Sequence, residues 1–367
     1  MTLALAGIRV VEFSHMVMGP TCGMILADLG AEVIKIEPPG GDRTRNLQAS
    51  GAGFFAALSR NKRSYVADVE ADRDALLALI DSADVVLENF RPGALAEKGL
   101  GFDVLRARNP RLVCLSLKGF LPGPYENRTA LDEVVQMMAG LAYMTGPPGR
   151  PLRAGAPVND MMGGMFGVIA VLAALRERDA TGQGQVVQAG LFETCAFLVS
   201  TSMTQYAVSG REPTPMPAGR RAWGVYDVFT AADGVQVFVA VVTDRQWEIF
   251  TRALAAPELA VPAFASNNLR SAARERLIPM VQSLLGRLPV AEIEALCAEG
   301  GLPYARINRP WDLIEDPHLN AGGMITVTLP DGRPARVPAL PIMMGDRRLG
   351  LRHDLPAVGE YNQGETP

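Results

Sequence analysis

Cysteine, histidine and long hydrophobic runs are all scarce in this chain, and each scarcity removes a class of function. The four cysteines in 367 residues, Cys22, Cys114, Cys195 and Cys297, stand far apart and form no C-x-x-C pair. That argues against disulfides and zinc and fits a reducing cytoplasm. The three histidines, His15, His318 and His353, are scattered, so no metal site is expected. The longest apolar run covers residues 161–175 and holds three glycines. It is too short to span a bilayer and reads as a buried core helix, so no membrane partner is expected. The N-terminus lacks a basic segment followed by an apolar one, and no signal peptide is expected. A net charge of −4 offers no basic surplus to nucleic acid. Three motifs are missing as well: the G-x-G-x-x-G of dinucleotide folds, the G-x-x-x-x-G-K-[ST] of nucleotide hydrolases and the G-x-S-x-G nucleophile elbow.

What is present is an ordinary globular composition, 48% hydrophobic and 20% charged, in a chain long enough for two domains. Strand and helix signals alternate over the first third. Strand-like runs are Ile8 to Phe13, A-E-V-I-K-I-E, S-Y-V-A-D-V, D-V-V-L-E-N-F and R-L-V-C-L-S-L. Between them T-C-G-M-I-L-A-D-L-G reads as a helix, as does D-R-D-A-L-L-A-L-I-D-S-A with Leu76, Leu77, Leu79 and Ile80 on its apolar side. The alternation predicts an α/β fold: an open, mainly parallel, Rossmann-like sheet with helices on both faces. From Asp132 to Arg178 the pattern is helical. P-T-P-M-P-A-G-R-R marks a linker or mobile loop. A hairpin turning at Asp233-Gly234 follows, then helices, then a closing hairpin. The expected division is a large domain over 1–215, a smaller α+β domain over 225–320, and a return to the large domain over 325–367.

Open parallel sheets bind ligands at the carboxyl ends of their strands. There the chain carries S-H-M-V-M-G-P, E-N-F-R-P-G and L-K-G-F-L-P-G-P. Nearby lie Arg43 and Arg45 in P-P-G-G-D-R-T-R, and Arg60, Lys62 and Arg63 in R-N-K-R. These cations suit an anionic ligand such as a phosphate, or form a solvated charge run. Asp160 stands alone in V-N-D-M-M-G-G, at the mouth of the apolar run. An aspartate there is either a helix N-cap or a reactive carboxylate, with Asp132 and Glu133 on the preceding helix.

Six motifs occur in order: L-x-G-I-R-V-V-E-F, G-P, L-A-D-L-G-A-E-V-I-K-I-E, N-K-R-S, A-D-V-V-L-E-N-F-R-P-G and T-G-Q-G-Q. Together they resemble, over nearly the whole chain, the class III CoA-transferases, a family that includes formyl-CoA:oxalate transferase, carnitine CoA-transferase and the α-methylacyl-CoA racemases. The resemblance implies an interlocked homodimer, with coenzyme A thioesters and carboxylic acids as substrates and no permanently bound cofactor. It implies a nucleophilic Asp160 whose helix N-cap position keeps it ionised, forming an aspartyl anhydride and then an aspartyl-CoA thioester. Gly163 and Gly164 would allow close backbone approach there. It places CoA contacts at His15, Met16, Val17, Ala67, Asp68, Asn89, Phe90, Arg91, Arg128, Leu131 and Asp132. Pro38 and Pro39 stand where relatives carry a phosphate-binding basic residue, so Arg43, Arg45 or Lys62 is the expected substitute. Glu97 replaces an arginine, with Lys98 beside it. Val17 replaces the glutamine of oxalate-using members, which argues against oxalate. Small dicarboxylates with succinyl-CoA as donor are expected. The stretch 216–224 is a candidate lid, with Arg220, Arg221 and Trp223 at the acyl or acceptor pocket.

The racemase branch carries a catalytic histidine immediately before the aspartate matched by Asp132. Leu131 stands there and cannot move a proton. CoA transfer is therefore favoured over the two other readings, an acyl-CoA racemase or isomerase and a non-catalytic acyl-CoA-binding protein.

Overall fold

The computed structural model describes residues 3–218 and 222–363. Six strands, β1 (Arg9–Phe13), β2 (Glu32–Glu37), β3 (Lys62–Val66), β4 (Val85–Glu88), β5 (Val113–Lys118) and β6 (Val186–Gly190), form one sheet in the order β3-β2-β1-β4-β5-β6. Every neighbouring pair is parallel. The order reverses between β1 and β4, which opens a crevice at their carboxyl ends. β1 to β5 match the five strand-like runs. In β4 every residue is buried, as a strand covered on both faces requires.

Successive side chains point to opposite faces, so Val10 and Val11 enter different cores. On one face, α1 (Met18–Asp28) and a long helix (Val158–Thr181) cover Val10, Val33, Val85, Leu115 and Leu117. On the other, Leu76, Leu79 and Ile80 of the Arg73–Asp81 helix and Leu105 of the Phe102–Arg108 helix cover Val11, Phe13, Ile34 and Val86.

The long helix crosses α1 at its glycines. A Cβ on Gly163 would lie 2.5 Å from Met18 Cε, and one on Gly164 would lie 2.7 Å from Met18 O. These glycines therefore admit a neighbouring helix, where close approach to substrate was expected. The helix ends at Gly182, whose φ of 74° is left-handed and whose N–H donates to Arg178 O. At 24 residues it outruns the charge-free stretch, and by length and composition alone it could cross a bilayer. It is also less buried than expected. Gly163, Gly164, Gly167 and Val171 pack inward, but Met161, Met165, Ile169 and Leu172 are 42%, 51%, 59% and 38% exposed.

The chain divides into two compact units, Met1–Pro213 with Glu315–Pro367, and Thr214–Ile314. The second holds an antiparallel sheet of β7 (Val225–Thr230), β8 (Gln236–Val241) and β9 (Tyr304–Arg306). Helices Asp244–Ala253, Arg274–Leu285 and Val290–Gly300 pack Trp247, Phe250, Leu277 and Ile293 against it. In the first unit, β10 (Met324–Thr328) and β11 (Pro334–Pro338) form the closing hairpin. Asn61 fastens the tail that follows: its Oδ1 accepts from the Arg352 and His353 amides at 2.6 and 2.9 Å.

Candidate active site

The crevice is built by three strand-end loops. After β1 the chain turns sharply at Met16, whose φ of 64° is unusual for a residue with a side chain. Asn89, after β4, holds this loop in both directions. The His15 N–H donates to Asn89 Oδ1 at 3.0 Å, and Asn89 Nδ2 donates to His15 O at 2.9 Å. The His15 ring stacks on Phe90 with centroids 5.5 Å apart. Burial lowers its proton affinity; Asp42 opposes that, while Lys35 and Arg43 reinforce it, so the ring is neutral at pH 7. Lys118, ending β5, donates to both Glu88 oxygens at 2.6 and 2.8 Å and to Phe90 O at 2.7 Å, which ties the β4 and β5 loops together.

These loops and the long helix bound a cavity of about 710 Å³. Its walls include nine of the expected ligand contacts: His15, Met16, Val17, Asn89, Phe90, Arg91, Arg128, Leu131 and Asp132, together with Asp160. Leu131 is 62% exposed and presents an apolar surface where a racemase would need a base. Lys118, from the L-K-G-F-L-P-G-P segment, and Arg153 also line it; Arg153 carried no signal in the sequence beyond its charge. Arg153 pairs with Glu133 at 2.7 Å, and Arg91 pairs with Glu97. Arg128 lies over the Tyr125 ring at 5.1 Å and has no carboxylate partner among the described residues.

Other expected contacts lie elsewhere. Lys62 is fully buried: its Nζ donates to Glu12 and to Pro20 O at 2.9 Å. It is an internal counter-ion and cannot reach a phosphate, which corrects the sequence expectation. Arg60 behaves alike: it forks onto Asp28, and both are buried. Arg60 and Lys62 are thus structural, because the buried carboxylates of Asp28 and Glu12 would be costly unpaired. Arg45 is occupied in the same way by Glu37 at 2.6 Å. Lys35 completes the layer, bonding Asp42 at 2.8 Å and Ser14 O at 2.7 Å beneath the His15 loop. Arg43 is exposed and outside the cavity wall. Lys98 is half-buried, also outside the cavity wall, and pairs with Glu70. Ala67 is buried, and Asp68 accepts from the Glu70 and Ala71 amides at 2.9 and 3.0 Å in a turn away from the wall. Arg220 and Arg221 fall outside the described residues.

Asp160 is the third residue of the long helix and not its N-cap, which is Pro157. The cap comes from a distance. Asp132 Oδ2 accepts from the Asn159 and Asp160 amides at 2.8 and 3.1 Å. Asp160 itself is pushed up to about 7 by burial, with Asp132 and Glu133 adding to the shift. The surroundings thus favour its protonated form, the reverse of a cap that keeps it ionised. Among the described residues, no group of three potential ligands could hold a metal ion.

The model of CoA-transferase family III matches residues 5–362. The succinyl-CoA:mesaconate CoA-transferase of Haloarcula hispanica is 32% identical over 88% of this chain and 85% of its own. The succinate–glutarate CoA-transferase of Agrobacterium fabrum is 32% identical over 97% of this chain and 93% of its own. A crystal structure of a CaiB/BaiF family protein from Brucella suis superposes with a TM-score of 0.87 at 33% identity, covering 98% of each chain.

Proposed function

The chain belongs to CoA-transferase family III and moves coenzyme A between acyl-CoA thioesters and carboxylic acids; from that premise we propose that Asp160 is its nucleophile and succinyl-CoA its donor. The observation that carries the assignment is Asp160 itself, a carboxyl with no hydrogen-bond partner among the described residues, in the wall of the cavity.

An oxygen of the Asp160 carboxylate attacks the thioester carbonyl. The C–S bond breaks, CoA leaves as thiolate with the bonding pair, and a mixed anhydride remains. The thiolate attacks the Asp160 carbonyl, releasing succinate and leaving an aspartyl-CoA thioester. An acceptor carboxylate displaces the thiolate in turn, and the thiolate recaptures the new acyl group, freeing Asp160. The Met16 and Val17 amides, which meet no acceptor among the described residues at the entry to α1, are the donors we assign to the developing oxyanion. The Asn159 and Asp160 amides are already used by Asp132. Coenzyme A is substrate here, and the scheme calls on no resident cofactor.

Both named relatives use succinyl-CoA or succinate with a second dicarboxylate. Arg128 supplies a cation free to hold the distal carboxylate of such an acid. A panel of acids with succinyl-CoA, followed by acyl-CoA product analysis, tests this. Dicarboxylates are expected to outpace monocarboxylates at least tenfold, and Arg128→Gln is expected to erase the difference. Equal rates would count against the dicarboxylate reading.

A second copy of the chain is proposed to cover the apolar face of Met161, Met165, Ile169 and Leu172, in the interlocked arrangement the family resemblance implies. The four cysteines, all unpaired and buried, support a cytoplasmic setting.

A further inference from the structure

The Asn159 and Asp160 amides need an acceptor, because the first turn of a helix leaves its N–H groups unpaired. Pro157, at the cap position, has no side-chain oxygen to offer. Asn159 does not supply one either, since neither polar atom of its buried carboxamide bonds a backbone amide among the described residues. The acceptor is Asp132, 5% exposed, which opens the Asp132–Met138 helix. Its other oxygen accepts from Gln136 Nε2, and Gln136 Oε1 accepts from the Ala154 amide at 2.8 Å. Gln136 is fully buried. Two side chains one helical turn apart therefore grip both ends of the segment that delivers Asp160.

The geometry points to Asp132 as a positioning residue that clamps the first turn of the long helix and aims the Asp160 carboxyl into the cavity. Asp132 Oδ2 is spent on two helix amides and Oδ1 holds Gln136, so the carboxylate is fixed from within the protein whether or not a ligand also reaches it. The clamp has a second consequence, resting on the nucleophile assignment above. Asp132 is an anion beside Asp160, and it also takes up the helix amides that would otherwise stabilise an Asp160 carboxylate. The other charged or titratable groups lining the cavity are Glu133 with its partner Arg153, Lys118 with its partner Glu88, Arg91 with its partner Glu97, Glu126, Arg128 and the His15 ring. Asp132 thus trades nucleophile ionisation for nucleophile placement. With the carboxyl near 7, about one molecule in ten is ionised at pH 6.

Asp132→Asn keeps the shape and removes the charge; Asp132→Glu keeps the charge. The first-order rate of adduct formation from succinyl-CoA would be followed from pH 5.5 to 8.5, alongside hydrogen exchange of a peptide covering residues 156–162. For Asp132→Asn we expect a rate at pH 8 about tenfold below wild type, a several-fold rise in the ratio of the pH 6 to the pH 8 rate, and succinyl-CoA affinity within twofold. Asp132→Glu should keep the wild-type acid limb. Exchange in the 156–162 peptide should quicken at least tenfold in Asp132→Ala, whether or not that variant is active. An unmoved acid limb with lost affinity would make Asp132 a CoA contact and overturn the proposal, as would unchanged exchange in Asp132→Ala. Absence of any adduct in wild type would sink the nucleophile assignment instead, and the exchange result alone would then decide the clamp.

Discussion

At the scale of the residue, the site depends on which charges are spent and which are free. Asp160 is held near neutrality by burial and by Asp132 and Glu133, so its ionised fraction grows across the physiological range. The rate of the first acyl transfer should rise with pH to a plateau above about 7, measured by single-turnover kinetics. The same shift bears on stability. A carboxyl that binds its proton more tightly folded than unfolded costs stability as pH climbs from its unfolded value near 4 to about 7. Asp160→Asn should therefore raise the unfolding midpoint by roughly 2–4 °C at pH 8 and leave it unchanged at pH 4, by calorimetry. Lys62 is spent. Lys62→Met would leave the buried Glu12 with Ser14 Oγ at 2.5 Å and Lys35 at 3.7 Å as its remaining partners, and urea titration should show a loss of about 3 kcal/mol. Succinyl-CoA affinity of the remaining folded protein should stay within twofold; a tenfold loss would restore Lys62 as a ligand.

At the scale of the element, the crossing of α1 and the long helix sets where Asp160 stands, because both start at the cavity. The two glycines at the crossing are not equivalent. A methyl on Gly163 meets the end of the flexible Met18 side chain, whereas a methyl on Gly164 meets the backbone oxygen of Met18. Gly164→Ala should thus cost more stability than Gly163→Ala, by about 1–3 kcal/mol in chemical denaturation, and should lower kcat more. Elements were also what the sequence displayed best. Alternating apolar runs marked β1 to β5, since strands buried on both faces leave a continuous hydrophobic signature. In the sequence the glycines of the long helix read as room for substrate, whereas they mark its inward face, and its exposed methionines read the same as buried ones. The cap on that helix was invisible, because Asp132 reaches Asn159 across a gap in the chain that no local pattern records. The cations misled for a similar reason: Arg60 and Lys62 look like surface charge until their buried partners, Asp28 and Glu12, are seen.

At the scale of the whole molecule, four large side chains along one helix face, Met161, Met165, Ile169 and Leu172, remain exposed among the described residues. Light scattering after size exclusion should give a dimer, and Ile169→Asp should disrupt it or leave the protein insoluble; a monomeric wild type would contradict the covering role of a second copy. No periodicity in the sequence distinguishes a face awaiting a partner from one packed in a core, so this feature became readable only with the fold. The cavity, by contrast, could be placed from the sequence, because a parallel sheet binds at its carboxyl ends and the motifs at β1 and β4 fall there. The central claim is that Asp160 becomes covalently acylated. Intact mass spectrometry after brief exposure to succinyl-CoA and a hydroxylamine quench tests it most directly. The account predicts a hydroxamate on Asp160 in wild type and none in Asp160→Ala. A wild-type protein that turns over succinyl-CoA yet carries no modification on Asp160 would contradict it.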